Sequence, residues 1–187
     1  MKINIVLVEP EIPHNTGNIA RTCSCTGAKL HLIEPLGFSL AEKQLKRAGL
    51  DYWDKLELET HKNVASFFEK YNQSNIFLVE TGDFKNYTEV DYTKYDEVFL
   101  LFGKETKGLS ESLLKTNSDK CIKIPMLAGI RSLNLSNAVA IVTYEVLRQT
   151  GFDTFEEIVE YLWKMEKNRK QLLTMQIKFA KMNILYY

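Results

Sequence analysis

The sequence is poor in several things that would narrow its class. It holds three cysteines, four prolines and nine glycines in 187 residues, and it carries no net charge. Cys23, Cys25 and Cys121 form an odd set without a C-x-x-C pair, which excludes a disulfide framework and a zinc ribbon. Core filling is the expected use for them, in a reducing compartment. His14, His31 and His61 stand singly without metal-ligand spacing, so they are expected to be structural or exposed, and no metal is expected. Lys and Arg together number 24, as do Asp and Glu, which excludes a uniformly basic nucleic-acid binder. Any nucleic-acid surface must be a local patch. No apolar run approaches the roughly 18 residues of a membrane span. Met1-Lys2 leads directly into an apolar run, Ile3 to Val8, with no leader pattern. A cytoplasmic protein that does not enter membranes is expected.

What the chain does have is enough apolar residue, 45%, to build a core. Short β-rich runs alternate with helical patterns. Strands are expected at Ile3 to Val8, Lys29 to Ile33, Leu56 to Glu59, Ile76 to Glu80, Val98 to Phe102 and Cys121 to Pro125. Helices are expected near Asn18 to Thr26, Leu40 to Arg47, Val64 to Tyr71, Ser110 to Thr116 and Leu135 to Thr150. Such alternation predicts an α/β fold, a mostly parallel sheet with helices on both faces. Ligands of these sheets sit beyond the carboxyl ends of the strands, so the loops after strands are where chemistry belongs.

Three of those loops are unusually polar. The first runs into Asn15-Thr16-Gly17-Asn18-Ile19-Ala20-Arg21, where Asn15 or Thr16 is expected to cap a helix. Asn18 and Arg21 then fall three apart on its first turns, an amide and a guanidinium suited to a phosphate or a ribose hydroxyl. The second is Phe102-Gly103-Lys104-Glu105-Thr106-Lys107-Gly108-Leu109-Ser110. Its glycine spacing resembles a phosphate loop, but Leu109-Ser110 stands where that motif needs Lys and then Ser or Thr. A nucleoside or cofactor edge remains, with Glu105 presented there. The third, Ile124-Pro125-Met126 through Arg131-Ser132-Leu133-Asn134-Leu135-Ser136-Asn137, has more amides and hydroxyls than one helix cap needs. A polar wall over a small molecule is the functional reading, and turn chemistry the alternative.

Taken in order, the three segments resemble the three motifs of the SPOUT class of RNA methyltransferases. Val8-Glu9-Pro10-Glu11-Ile12-Pro13 and Arg47-Ala48-Gly49-Leu50-Asp51-Tyr52-Trp53 are similar to signatures of its small tRNA subgroup, which methylates the ribose 2′-hydroxyl of the wobble nucleotide, position 34. The resemblance covers about residues 3 to 150. It implies a deep C-terminal trefoil knot, a homodimer, tRNA as substrate, and S-adenosylmethionine as cofactor with no metal. Carried over, Val79, Gly103, Ile124 and Ser132 would hold the cofactor. Arg21 would be catalytic, with Asn18, Glu105 and Asn134 around it. Tyr144 resembles a family tyrosine on the last helix, with RNA as its suggested contact. Another tRNA or rRNA ribose target stays open, as does a non-catalytic RNA-binding module on the same scaffold.

Two features lie beside the resemblance. Lys43, Lys46 and Arg47 fall on one expected helix and could contact RNA phosphates, or could simply be a solvated face. Residues 1–150 are expected to form the methyltransferase domain and 151–187 a helical extension. From Lys164 onward that extension has a local excess of five positive charges, the one basic concentration in a neutral chain.

Overall fold

The computed structural model describes residues 1–40, 56–72, 74–152 and 166–170. Seven strands, β1 (Lys2–Val8), β2 (Lys29–Ile33), β3 (Leu58–His61), β4 (Ile76–Val79), β5 (Lys85–Asn86), β6 (Glu97–Phe102) and β7 (Cys121–Lys123), make one sheet. Its order is β3-β2-β1-β6-β4-β7-β5, and every pairing is parallel. The fold class is α/β, as the alternation of elements predicts. Parallel strands covered on both faces need apolar residues on both faces. β1 and β6 show this directly, since all but the first residue of each is buried.

Among the described residues four α-helices belong to the same unit as the sheet: α1 (Pro13–Thr26), α2 (Val64–Lys70), α3 (Glu111–Thr116) and α4 (Leu135–Thr150). α2 starts with a reciprocal cap in which Asn63 accepts from the Ser66 N–H and Ser66 accepts from the Asn63 N–H. Phe67 on α2 packs into the core formed by Val6, Ile33, Leu78, Phe99 and Leu101. α1 ends at Gly27, which takes a left-handed φ of +71° and returns its N–H to the Cys23 carbonyl.

Several expectations shift. α1 begins at Pro13, earlier than expected, so Asn15 and Thr16 lie inside its first turn and neither caps it. Proline suits that first position because its missing N–H would have had no helical partner. The third strand lies two residues later than expected, because its register pairs Ile33 with His61 and carries that polar residue into the sheet. β5 was invisible in the sequence, being two residues long with no apolar pattern. Cys23 and Cys121 fill the core, but Cys25 is exposed. Burial pushes the Cys23 thiol up to about 12, which keeps it protonated and inert.

The chain divides into two compact units, residues 1–150 and 151–187. In the second unit 166–170 is helical and exposed, with Lys170 3.4 Å from Glu166. The expected helix at Leu40 to Arg47 beyond its first residue, the signature from Arg47 to Trp53, and Lys43 and Lys46 lie outside the described residues, as does most of the basic extension.

Candidate active site

At the carboxyl edge of the sheet the ends of β1, β4, β6 and β7 feed the polar loops, and a cavity of about 450 Å³ opens there. Val79, Gly103, Ile124 and Ser132 all line it, as do Glu105 and Asn134. These six were expected from three separate stretches of chain, and strand order is what brings them together. β4 lies between β6 and β7, so the loops that follow these three strands must meet.

The 103–109 loop closes on itself tightly. The Gly108 N–H donates to the Lys104 carbonyl at 2.8 Å, and a Cβ at Gly103 would fall 2.1 Å from the Gly108 carbonyl carbon. Gly108 itself has a φ of +65°, and a Cβ there would fall 2.1 Å from Glu80 Oε2. Gly103 is therefore required by the close approach of backbone, and Gly108 by its left-handed φ with the Glu80 side chain folded over it. Glu80 holds the far end of the loop, accepting the Leu109 N–H at 2.8 Å.

A second set of bonds ties this loop to α1. Ile12 precedes α1 without offering a side-chain cap, and Glu105 supplies one from the distant loop. Its carboxylate accepts the Glu11 N–H at 2.8 Å, the Ile12 N–H at 3.3 Å and the Asn15 side-chain amide at 2.9 Å. A carboxylate at a helix N-terminus is favoured both by the free N–H groups and by the helix dipole. Glu11 answers in the other direction, accepting the Thr106 N–H and hydroxyl at 3.1 and 3.0 Å. Lys104 pairs with Glu9 at 2.5 Å, and Glu9 turns the chain off β1 with a φ of +50°. The third loop joins through Asn134, whose amide donates to Asn15 Oδ1 at 3.0 Å. Asn134 Oδ1 accepts the Ser136 N–H at 2.9 Å and so starts α4. Arg131 closes the ring by donating to the Thr106 carbonyl at 3.0 Å.

Asn15 is thus the joint of all three loops, bonded to Glu105 and to Asn134 and buried in the cavity lining. Sequence reasoning treated it as a cap and as the first residue of the motif that ends at Arg21. Asn18 and Arg21 do not line the cavity. At 1.5 Å rise per residue Arg21 stands about 9 Å along α1 from Asn15. Asn18 is half-buried and Arg21 exposed. Tyr144 lies on α4, half exposed and away from the cavity lining.

One further polar cluster was missed because its members are far apart in sequence. Under α2, His31 Nδ1 lies 3.1 Å from His61 Nε2, His31 Nε2 lies 3.1 Å from Asn4 Oδ1, and Glu59 Oε1 lies 3.5 Å from His61 Nε2. The ligand atoms of His31, Glu59 and His61 fall within 4.8 Å of one another, a spacing a metal ion could use. Chemistry argues for a different role. Asn4 donates its amide to Glu97 and to the Val98 carbonyl, so its oxygen faces His31 as an acceptor. His31 then donates from Nε2 and accepts at Nδ1 from His61, which leaves no lone pair on that side for a metal. Lys29 and Lys70 each sit 2.7 Å from Glu59, filling the place a cation would take. Burial drives His31 down to about 3, so it stays neutral. Burial opposes ionisation of Glu59, but hydrogen bonds from Lys29, Lys70 and Tyr71 outweigh it and hold the carboxyl at about 2.

Residues 2–144 match the model of the SpoU rRNA methylase family. The chain belongs to that family. It is 48% identical over 151 residues to a Bacillus subtilis (strain 168) protein named "Putative tRNA (cytidine(34)-2'-O)-methyltransferase", covering 80% of this chain and 94% of the relative. A solved structure reported as "Structural insights into the 2-OH methylation of C/U34 on tRNA" superposes with a TM-score of 0.75 at 42% identity, covering 79% of this chain and 95% of the other. The SpoU methyltransferase AviRb from Streptomyces viridochromogenes, solved in complex with the cofactor AdoMet, superposes with a TM-score of 0.67 at 27% identity, covering 79% of this chain and 60% of that one.

Proposed function

We propose that the protein transfers a methyl group from S-adenosylmethionine to the ribose 2′-hydroxyl of the wobble nucleotide, position 34, of tRNA. The observation that carries this reading is the meeting of the three motif loops in one cavity, joined through Asn15. The cavity suits the cofactor. Its volume is that of a small-molecule site, and it combines apolar walls (Val79, Phe102, Leu135, Ala138) with strand-end backbone that can bond a nucleoside edge. Val79, Gly103, Ile124 and Ser132 would hold it. Bound there, the cofactor supplies an electrophilic methyl group on its sulfonium, and no metal is needed.

The chain's own residues then have divided roles. A guanidinium keeps its proton in proteins, so Arg21 would orient the ribose and stabilise the charge that develops on its oxygen, together with a substrate phosphate. Asn18 lies between Arg21 and the cavity on the same helix and would contact the substrate. Glu105 and Asn134 are positioning residues, since their polar atoms fix the start of α1 and α4. They set where Arg21 stands relative to the cofactor.

The same reading includes a deep C-terminal trefoil knot, a homodimer and a cytoplasmic location. Exposed Ile141 and Tyr144 on α4 support a partner surface there, and no described helix is long and apolar enough to cross a membrane. Residues 1–150 would be the catalytic domain, with 151–187 a basic extension and Lys43, Lys46, Arg47 and Tyr144 as RNA contacts. The test is transfer of labelled methyl from S-adenosylmethionine to tRNA lacking its wobble modification, with the product mapped by nuclease digestion and mass spectrometry. A 2′-O-methyl at position 34 is expected. A methyl elsewhere keeps the reaction and discards the target. Cofactor binding without transfer to any tRNA or rRNA favours the binding-module alternative.

A further inference from the structure

Glu80 is the one acidic residue of the cavity whose carboxylate neither caps a helix nor meets a cation among the described residues. It is fixed at both ends. Its backbone N–H donates to the Ile122 carbonyl at 3.0 Å, which extends the β4–β7 pairing by one residue. Its side chain folds over Gly108, close enough that any Cβ there would strike it. The donors that reach the carboxylate are unevenly shared. Oε1 accepts both the Thr81 N–H at 2.8 Å and the Thr81 hydroxyl at 3.2 Å, whereas Oε2 accepts only the Leu109 N–H at 2.8 Å. A carboxylate oxygen has two lone pairs, so Oε2 keeps one free. The Thr81 hydroxyl donates to Glu80 and keeps its own acceptor sites. Both residues line the cavity, directly after Val79.

Two adjacent acceptors with no competing cation among the described residues match a pair of neighbouring hydroxyls. Carboxylates at strand ends read ribose diols in this way in other α/β folds. We infer that Glu80, with Thr81, reads the cofactor's ribose by accepting hydrogen bonds from its vicinal 2′- and 3′-hydroxyls. This inference rests on the cofactor reading above. It adds a specificity that backbone contacts alone would not give, because a site built to bond a hydroxyl rejects the analogue that lacks it.

The test compares binding of S-adenosylhomocysteine with that of its 2′-deoxy and 3′-deoxy counterparts by calorimetry, for the wild-type chain, Glu80→Ala, Glu80→Gln and Thr81→Val. The wild type is expected to prefer the full diol at least tenfold. Glu80→Ala is expected to bring that preference within about twofold, and Thr81→Val to reduce it in part. Loss of the loop clamp alone would weaken all three ligands equally, so a uniform loss in Glu80→Ala overturns the inference. So does a tenfold preference that survives both Glu80 variants. Should Glu80→Ala not fold, as judged by circular dichroism, Glu80→Gln and Thr81→Val carry the comparison. Binding with unchanged preference defeats this inference alone, whereas no binding of any of these ligands by the wild type defeats the cofactor reading with it.

Discussion

Two polar clusters sit in the same domain, and they differ in what surrounds them. The Asn4–His31–His61 chain lies under α2 among Phe67, Tyr71 and Phe99, with its donors and acceptors matched to one another and the rings packed at centroid distances of 4.7 to 6.0 Å. The Glu105–Asn15–Asn134 ring lies at the carboxyl edge of the sheet against an open cavity. Titratable groups at close quarters are therefore a poor marker of function by themselves. A saturated cluster inside a core fixes strand register, while one that borders a cavity and sets the direction of a helix can serve chemistry.

That contrast can be broken at several points. Arg21→Ala should lower methyl transfer at least a hundredfold while leaving cofactor affinity within about threefold, because Arg21 stands outside the cavity lining. Unchanged turnover would remove Arg21 from the mechanism. Glu105→Ala should cost about 2 kcal/mol of stability by leaving the Glu11 and Ile12 N–H groups and the Asn15 amide without their acceptor. It should also lower turnover tenfold or more, read by denaturant unfolding and kinetics together. A stability loss with full activity would make the ring merely structural.

The buried cluster predicts a pH effect instead. Folded His31 protonates only near pH 3, against about 6.5 in the unfolded chain. Between these values the unfolded state binds more protons, so its stabilising contribution is complete above pH 6.5 and is lost as pH falls towards 3. From pH 7 to pH 5 the loss from His31 should be about 2 kcal/mol, and His31→Gln should remove that part of the slope. Glu59, held at about 2, adds to the acid loss only below its ordinary range near pH 4.5. An unchanged slope in His31→Gln would show that His31 is not the source, since burial lowers His61 in the same cluster as well. The smallest effect expected is on RNA binding. Replacing Lys43, Lys46 and Arg47 by Ala should weaken tRNA binding about tenfold at low salt, less at high salt, without altering cofactor affinity. Equal tRNA affinity would return them to a solvated face.

Much was legible in the sequence because it is written locally. Largely β-branched runs such as Ile3-Asn4-Ile5-Val6-Leu7-Val8 specify buried parallel strands, and Gly103 and Gly108 mark a turn without room for side chains. The three polar loops stood out for carrying more amides and charges than turns require. By itself the sequence determined the fold class and the end of the strands at which to look, and its resemblance to a known family pointed to six of the residues that line the cavity. Only the tertiary structure decided what those side chains do. Glu105 caps α1 across 94 residues, Asn15 joins three loops, and His31 meets His61 across 30. The physical reason is the parallel sheet. Its neighbours in space are set by strand order, which no local pattern encodes, and a polar atom's role depends on the partner it finds there.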